Sequence, residues 1–274
     1  MLIRKLFDKK GMPLLATVFV VLFIAESRRR LRKRKSPKLE RGIVNTVVSL
    51  PAFTLLRFLF LPLMVSLAKK NQEKKWGLNN QYRANPLFKG LVAFLIMDYG
   101  NYLWHVLNHR SAFLWRFHLV HHTDIDMDVT TAIRFHFGEM IGSIFARGFF
   151  IFLSGATARE VLMYEILFEA ATEFHHSNLR LPKETERFLN YFIVTPRMHG
   201  IHHSQYKNET DSNYSVIFSC WDRLHRTALL NIAQERIVIG VPSYRQAEDL
   251  TIGALLKLPF SKIRTWPVNY LKRN

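Results

Sequence analysis

Apolar residues fall into four long runs, separated by polar and mostly basic segments. The first, MPLLATVFVVLFIA at 12–25, is shorter than the roughly 20 residues a span wants and predicts a short or partly interfacial membrane helix. It mimics a signal peptide, but a polybasic block stands where small cleavage-site residues belong. The second run, 43–68, is long enough to cross and carries Pro51, Pro62 and Arg57. Its prolines predict kinks, and Arg57 is expected to snorkel or face protein. The third run spans 87–107, and the fourth, 140–171, is broken by SGAT at 154–157, which predicts a helical hairpin returning both ends to one side. Beyond residue 175 the chain is polar, with short helical patches. The expected fold is all-α, with multi-pass membrane helices topped by a helical cap. Three regions follow: N-terminal membrane helices with a polybasic loop (1–86), a helical core domain (87–230) and a C-terminal tail region (231–274).

Charge refines this picture. The net charge of +18 invites a nucleic-acid reading, but residues 1–42 hold 13 Lys and Arg against Asp8, Glu26 and Glu40. The densest block, RRRLRKRK at 28–35, lies between two apolar runs. That placement points to a membrane-orienting loop, with no nucleic-acid partner. Residues 26–42 carry nine basic side chains, 69–86 five and 1–11 four. The positive-inside bias puts 26–42 in the cytoplasm, and crossings at 43–68 and 87–107 then return the chain to that side. The single cysteine, Cys220, excludes a disulfide framework or a thiolate metal site within one chain.

The chemistry must therefore use imidazole and carboxylate. Most of the twelve histidines lie in four tight groups: HVLNH (His105, His109), HLVHH (His118, His121, His122), FHHSN (His175, His176) and MHGIHH (His199, His202, His203). On a helix, the second and third histidines of HxxHH lie about 60° behind and 40° ahead of the first. Three imidazoles converge, while the adjacent pair diverges enough to reach two different ions. About 0.02 occurrences of HxxHH are expected by chance in such a chain, against two found. Two facing triplets with HxxxH beside them supply eight nitrogens, enough for two metals and too many for one. His136 and His176 are further candidate ligands; His175 and His225 are expected to be structural. Asp124, Asp126 and Asp128, with Asn178 and Asn213, are candidates to hydrogen-bond the imidazoles, as carboxylates behind metal ligands do.

A zinc hydrolase of the HExxH type is excluded by the missing motif. The carboxylate di-iron pattern needs two Glu-x-x-His pairs, and only Glu173–His176 is present, with Glu165 and Glu169 on its stripe. A histidine-rich centre remains, for which imidazole suits iron without identifying it.

HVLNH, HLVHH with TDIDMDVTTAIRFH, FHHSN, TPRMHGIHHS and DSNYS…WDRLHRT closely resemble the fatty acid hydroxylase/sterol desaturase superfamily of membrane di-iron enzymes, over about residues 90–227. The chain departs from that pattern at His136-Phe137, where HP is common, and at His225, where phenylalanine is common. The resemblance implies a cytosol-facing non-haem centre of two Fe ions that uses dioxygen and two electrons to hydroxylate or desaturate a lipid. The implied ligands are the eight motif histidines, with His136 and His176 at the positions of the extra ones. With no GxGxxG fingerprint, no iron–sulfur cysteine set and no haem-like module, an external electron donor is expected: ferredoxin, rubredoxin, cytochrome or reductase. The expected location is a bacterial inner membrane or the endoplasmic reticulum. The competing expectation is a non-catalytic membrane metal-binding or scaffold protein that keeps the histidine cage.

Overall fold

A computed structural model describes residues 7–273. The chain is helical, and among the described residues extended pairing is limited to isolated bridges such as Arg30 with Leu179. Helix α1 (Met12–Arg28) follows a π-helical turn, Phe7–Gly11. Helix α2 (Lys38–Leu55) runs through a second π-helical turn, Leu56–Phe60, into α3 (Leu61–Lys74). That turn lies between Pro51 and Pro62, where the missing backbone donors were expected to disturb the helix. Arg57, in the turn, faces protein: it pairs with Asp8 at 2.9 Å.

Helix α4 (Pro86–Arg110) carries HVLNH in its last two turns. Ser111 then accepts from the Leu114 amide and caps α5 (Ala112–His122), which carries HLVHH. Helices α6 (Phe137–Ser154) and α7 (Ala158–His176) form the expected hairpin. Its turn requires Gly155, at φ +71°, and Thr157 caps α7 through a reciprocal pair with Glu160. Short helices follow: α8 (Lys183–Leu189) and α9 (Pro196–His202). Thr195 and Pro196 supply the cap and first residue of α9, a favoured way to start a helix.

Three segments are long and apolar enough to cross a membrane: Asp8–Arg28, Lys38–Asn80 and Phe137–Ser154. Their outer faces expose large apolar side chains, among them Val21, Phe58 and Phe145. The expected runs at 87–107 and in the second arm of the hairpin do form helices, but neither is among the three. Asp98 and Asn101 interrupt the first, and Arg159, Glu160, Glu165 and Glu169 interrupt the second.

One buried core joins α3, α4, α6 and α7 around Phe60, Met64, Met97, Ile151 and Tyr164. Another ties the C-terminal region to the cap, where Val241, Tyr244, Leu255 and Leu258 pack with Val48 and Leu119. The polybasic segment is not simply a solvated loop. Arg32 is buried and donates to the Pro196 carbonyl (3.2 Å) and to Gln234 (2.9 Å). Its guanidinium lies where a side chain on Gly200 would stand, which accounts for the glycine in MHGIHH. Arg41 bridges Asp124 and Asp128, and Asp126 accepts from the Lys35 and Ser36 amides.

Candidate metal centre

Nine of the ten expected ligands meet in two buried groups. His105, His109, His118, His122 and His202 form one; His121, His176, His199 and His203 form the other. In each group, one nitrogen per residue lies within 4.8 Å of every other. Each HxxHH triplet is divided as its helical spacing predicts. HLVHH sends His118 and His122 to the first group and His121 to the second, while MHGIHH sends His202 to the first and His199 and His203 to the second.

The ring orientations are set by what the Nδ1 atoms reach. His105 donates to the Tyr214 carbonyl (2.7 Å), His121 to Arg134 (3.2 Å), His176 to Thr172 (2.8 Å) and His202 to Ser212 (2.7 Å). His118 Nδ1 donates to Glu139 Oε1 at 2.9 Å. Carbonyl and carboxylate oxygens only accept, so these rings carry their proton on Nδ1 and leave an Nε2 lone pair facing inward. The loop that presents two of these carbonyls is itself pinned. Asp222 accepts from the amides of Tyr214 and Ser215. Asn213, in a left-handed conformation, donates to Met198 and Leu229.

This donor set fits metal ions. In the second group, Nε2 of His176 lies 3.0 Å from that of His121 and 2.9 Å from that of His199, and His199 lies 3.1 Å from His203. His121 and His176 already donate through Nδ1, so their Nε2 atoms oppose lone pair to lone pair, a repulsive contact that a shared cation converts into two bonds. In the first group, Nε2 of His105, His109 and His202 are buried without a partner among the described residues, and an unpaired buried polar atom costs about 1–3 kcal/mol. Burial and mutual repulsion hold His121, His122, His199, His202 and His203 well below the usual imidazole pKa, and burial pushes His176 down to about 3. These six rings are neutral at pH 7, the state that ligates.

His136 stands outside both groups. It caps α6, its Nδ1 accepting from the Gly138 amide (3.0 Å) and its Nε2 donating to the Leu256 carbonyl (3.2 Å). Both nitrogens are occupied. His175 donates to the Val216 carbonyl, and His225 stacks against Tyr99 and Tyr102; neither joins a group. The acids after HLVHH hydrogen-bond no imidazole. Asp124 accepts from Arg41, Asn45 and Thr131, and Asp128 from Arg41 and the Thr130 amide. Asn178 exchanges hydrogen bonds with the backbone of Arg32. Their role is to fix the loop and dock the basic segment. The acceptors behind the rings are backbone carbonyls, invisible as residue types, and Glu139. The HFGE sequence offered one signal for Glu139, an acid three residues beyond His136 at a helix start.

A cavity of roughly 100 Å³ opens onto the histidines. Ala52, Phe53, Leu56, Phe135, Met140 and Phe168 are among its apolar walls, and His105, His118, His121, His176 and His199 line it as well. Its sides are drawn from the membrane-length segments α2 and α6.

Three membrane-length segments, with two buried imidazole groups carried on α4, α5, α7 and α9, mark a histidine-rich membrane protein with a candidate metal centre. The chain belongs to the fatty acid hydroxylase family, whose model matches residues 90–227. It is 29% identical over 137 residues to the ornithine lipid hydroxylase of Rhizobium tropici, covering 50% of this chain and 40% of that protein. To the alkylglycerol monooxygenase of Homo sapiens it is 26% identical over 150 residues, 54% of this chain and 32% of the relative. To a cholesterol 25-hydroxylase-like protein of Danio rerio it is 29% identical over 143 residues, 50% of this chain and 53% of that one. The chain thus spans about a third to a half of the length of these relatives. No solved structure matches it.

Proposed function

We propose that the chain is an integral membrane non-haem oxidoreductase that hydroxylates or desaturates a lipid C–H bond with dioxygen and external electrons. Two iron ions are its cofactor, with His105, His109, His118, His122 and His202 as ligands of one and His121, His176, His199 and His203 as ligands of the other. The observation that carries this reading is the convergence of Nε2 atoms in two groups that line an apolar cavity. Bound iron supplies dioxygen reduction and C–H oxidation, which no side chain here performs alone. The chain's own part is structural. Backbone carbonyls and Glu139 hold the rings, and the apolar walls exclude water and align a lipid chain with the histidines.

The names of the relatives support a lipid substrate. The basic segment at 26–42 supports an active site on the cytoplasmic side. An acidic ferredoxin, rubredoxin, cytochrome or reductase suits that basic face as electron donor, because opposite fields steer encounters.

Metal content per chain of detergent-purified protein is the test, beside His118→Ala and His202→Ala. About two irons per chain, reduced in both variants, is the expected result. Zinc found instead calls for anaerobic iron reconstitution before activity is judged. Metal absent, or unaffected by either substitution, overturns the dimetal reading. Metal without dioxygen-dependent loss of any lipid leaves a non-catalytic metal-binding or scaffold protein.

A further inference from the structure

The lipid cavity has a charged pole that the histidine site does not use. Arg147, midway along the membrane-length α6, is 7% exposed and lines the cavity. Its guanidinium lies over the rings of Phe60 (4.7 Å) and Phe168 (4.4 Å) and pairs with Glu165. Its Nε is buried with no hydrogen-bond partner among the described residues. Glu169, one turn beyond Glu165 on α7, lines the same cavity and has no ion-pair or hydrogen-bond partner among the described residues. A single arginine is neutralised by a single acid. A second acid lining the same cavity as an unsatisfied donor is costly unless a ligand engages both, and such groups mark substrate pathways.

We propose that Arg147 and Glu169 determine substrate specificity by reading a hydroxyl group on the lipid, which rests on the cavity's being the lipid site proposed above. The hydroxyl accepts from Arg147 Nε–H and donates to the Glu169 carboxylate. A carboxylate ligand would add a third negative charge to two acids and one arginine, and an ammonium, which has no acceptor, would leave the Arg147 Nε–H unmet. A neutral donor–acceptor group adds no charge at that depth and satisfies both side chains. The helices also set where on the lipid the hydroxyl must lie. Glu139, Ser143 and Arg147 form one column on α6, and Arg147 is eight residues from the Glu139 that holds His118, about 12 Å at 1.5 Å per residue. On α7, Glu169 is seven residues from His176, about 10 Å. The carbon presented to the histidines is therefore about 10–12 Å from the hydroxyl by the same helical rise.

Thermal unfolding in detergent, with lauryl alcohol, laurate or dodecane added, tests this without metal or turnover. The alcohol is expected to raise Tm more than the acid or the alkane. Glu169→Leu, which leaves the Arg147–Glu165 pair intact, should abolish that preference, and Glu169→Gln, which keeps an acceptor, should retain part of it. Arg147→Met/Glu165→Leu removes the buried pair together and should also abolish it. Equal shifts with all three probes, or an alcohol preference that survives Glu169→Leu, overturns the proposal. Metal content of the same samples reports separately on the dimetal reading, so either can fail alone.

Discussion

His118, on α5, donates its Nδ1 proton to Glu139, in the first turn of α6, at 2.9 Å. Among the described residues it is the one ring of the two groups whose Nδ1 hydrogen bond goes to a side chain, and so the one whose support a substitution can remove. Glu139→Ala is expected to weaken metal binding tenfold to a hundredfold, the usual loss on removing an acceptor behind a ligating histidine. Competition with a graded chelator checks this. Glu139→Gln, which retains an accepting oxygen, should fall between wild type and Glu139→Ala.

His136→Ala should leave metal stoichiometry unchanged. Both nitrogens of His136 serve α6 and the Leu256 carbonyl, so the substitution costs a helix cap, about 1 kcal/mol. Metal analysis beside a denaturation curve distinguishes this from a ligand role, for which the metal would fall with little change in apo-protein stability.

Arg41→Met should destabilise strongly. The substitution strands Asp124 and Asp128, both about 1% exposed, and breaking a buried ion pair from one side costs about 3–5 kcal/mol. Metal-free protein should show the loss in Tm, since Arg41 touches no imidazole.

Metal-free protein should lose stability as pH falls from 7 towards 4. His121, His122, His199, His202 and His203 have folded pKa values well below the ordinary 6.5. Below pH 6.5 the unfolded chain therefore binds protons that the folded chain refuses. Stability is full above that value and falls beneath it, by up to about 1.4 kcal/mol per pH unit for each group. Bound metal should shift the loss to lower pH until protons displace it. Denaturant midpoints at stepped pH, with and without metal, read both effects; a flat metal-free profile would contradict the burial of neutral rings.

The helical spacing in HLVHH and MHGIHH was enough to read convergence and division between two groups, because local geometry alone sets the angle between neighbouring imidazoles. The hairpin at SGAT was legible for a similar local reason, a left-handed glycine followed by a capping threonine. What could not be read is what depends on distant backbone. The acids of DIDMD look like carboxylates placed behind histidines, yet they bind Arg41, Lys35 and Ser36 from another part of the chain. The rings lean mainly on carbonyls, which every residue type possesses. His136 resembles a ligand by position, and only the approach of Leu256 occupies its second nitrogen.

The division of each triplet between the two groups has a mechanical consequence. An ion held in either group would clamp α5 to α9, and that clamp would hold the remaining histidines of both helices in place around the other position. The two positions are thus linked through rigid helix turns, and occupancy of one lowers the ordering cost of the next. Metal uptake should consequently rise sigmoidally with free metal, with half-filled chains scarce at every point of the titration.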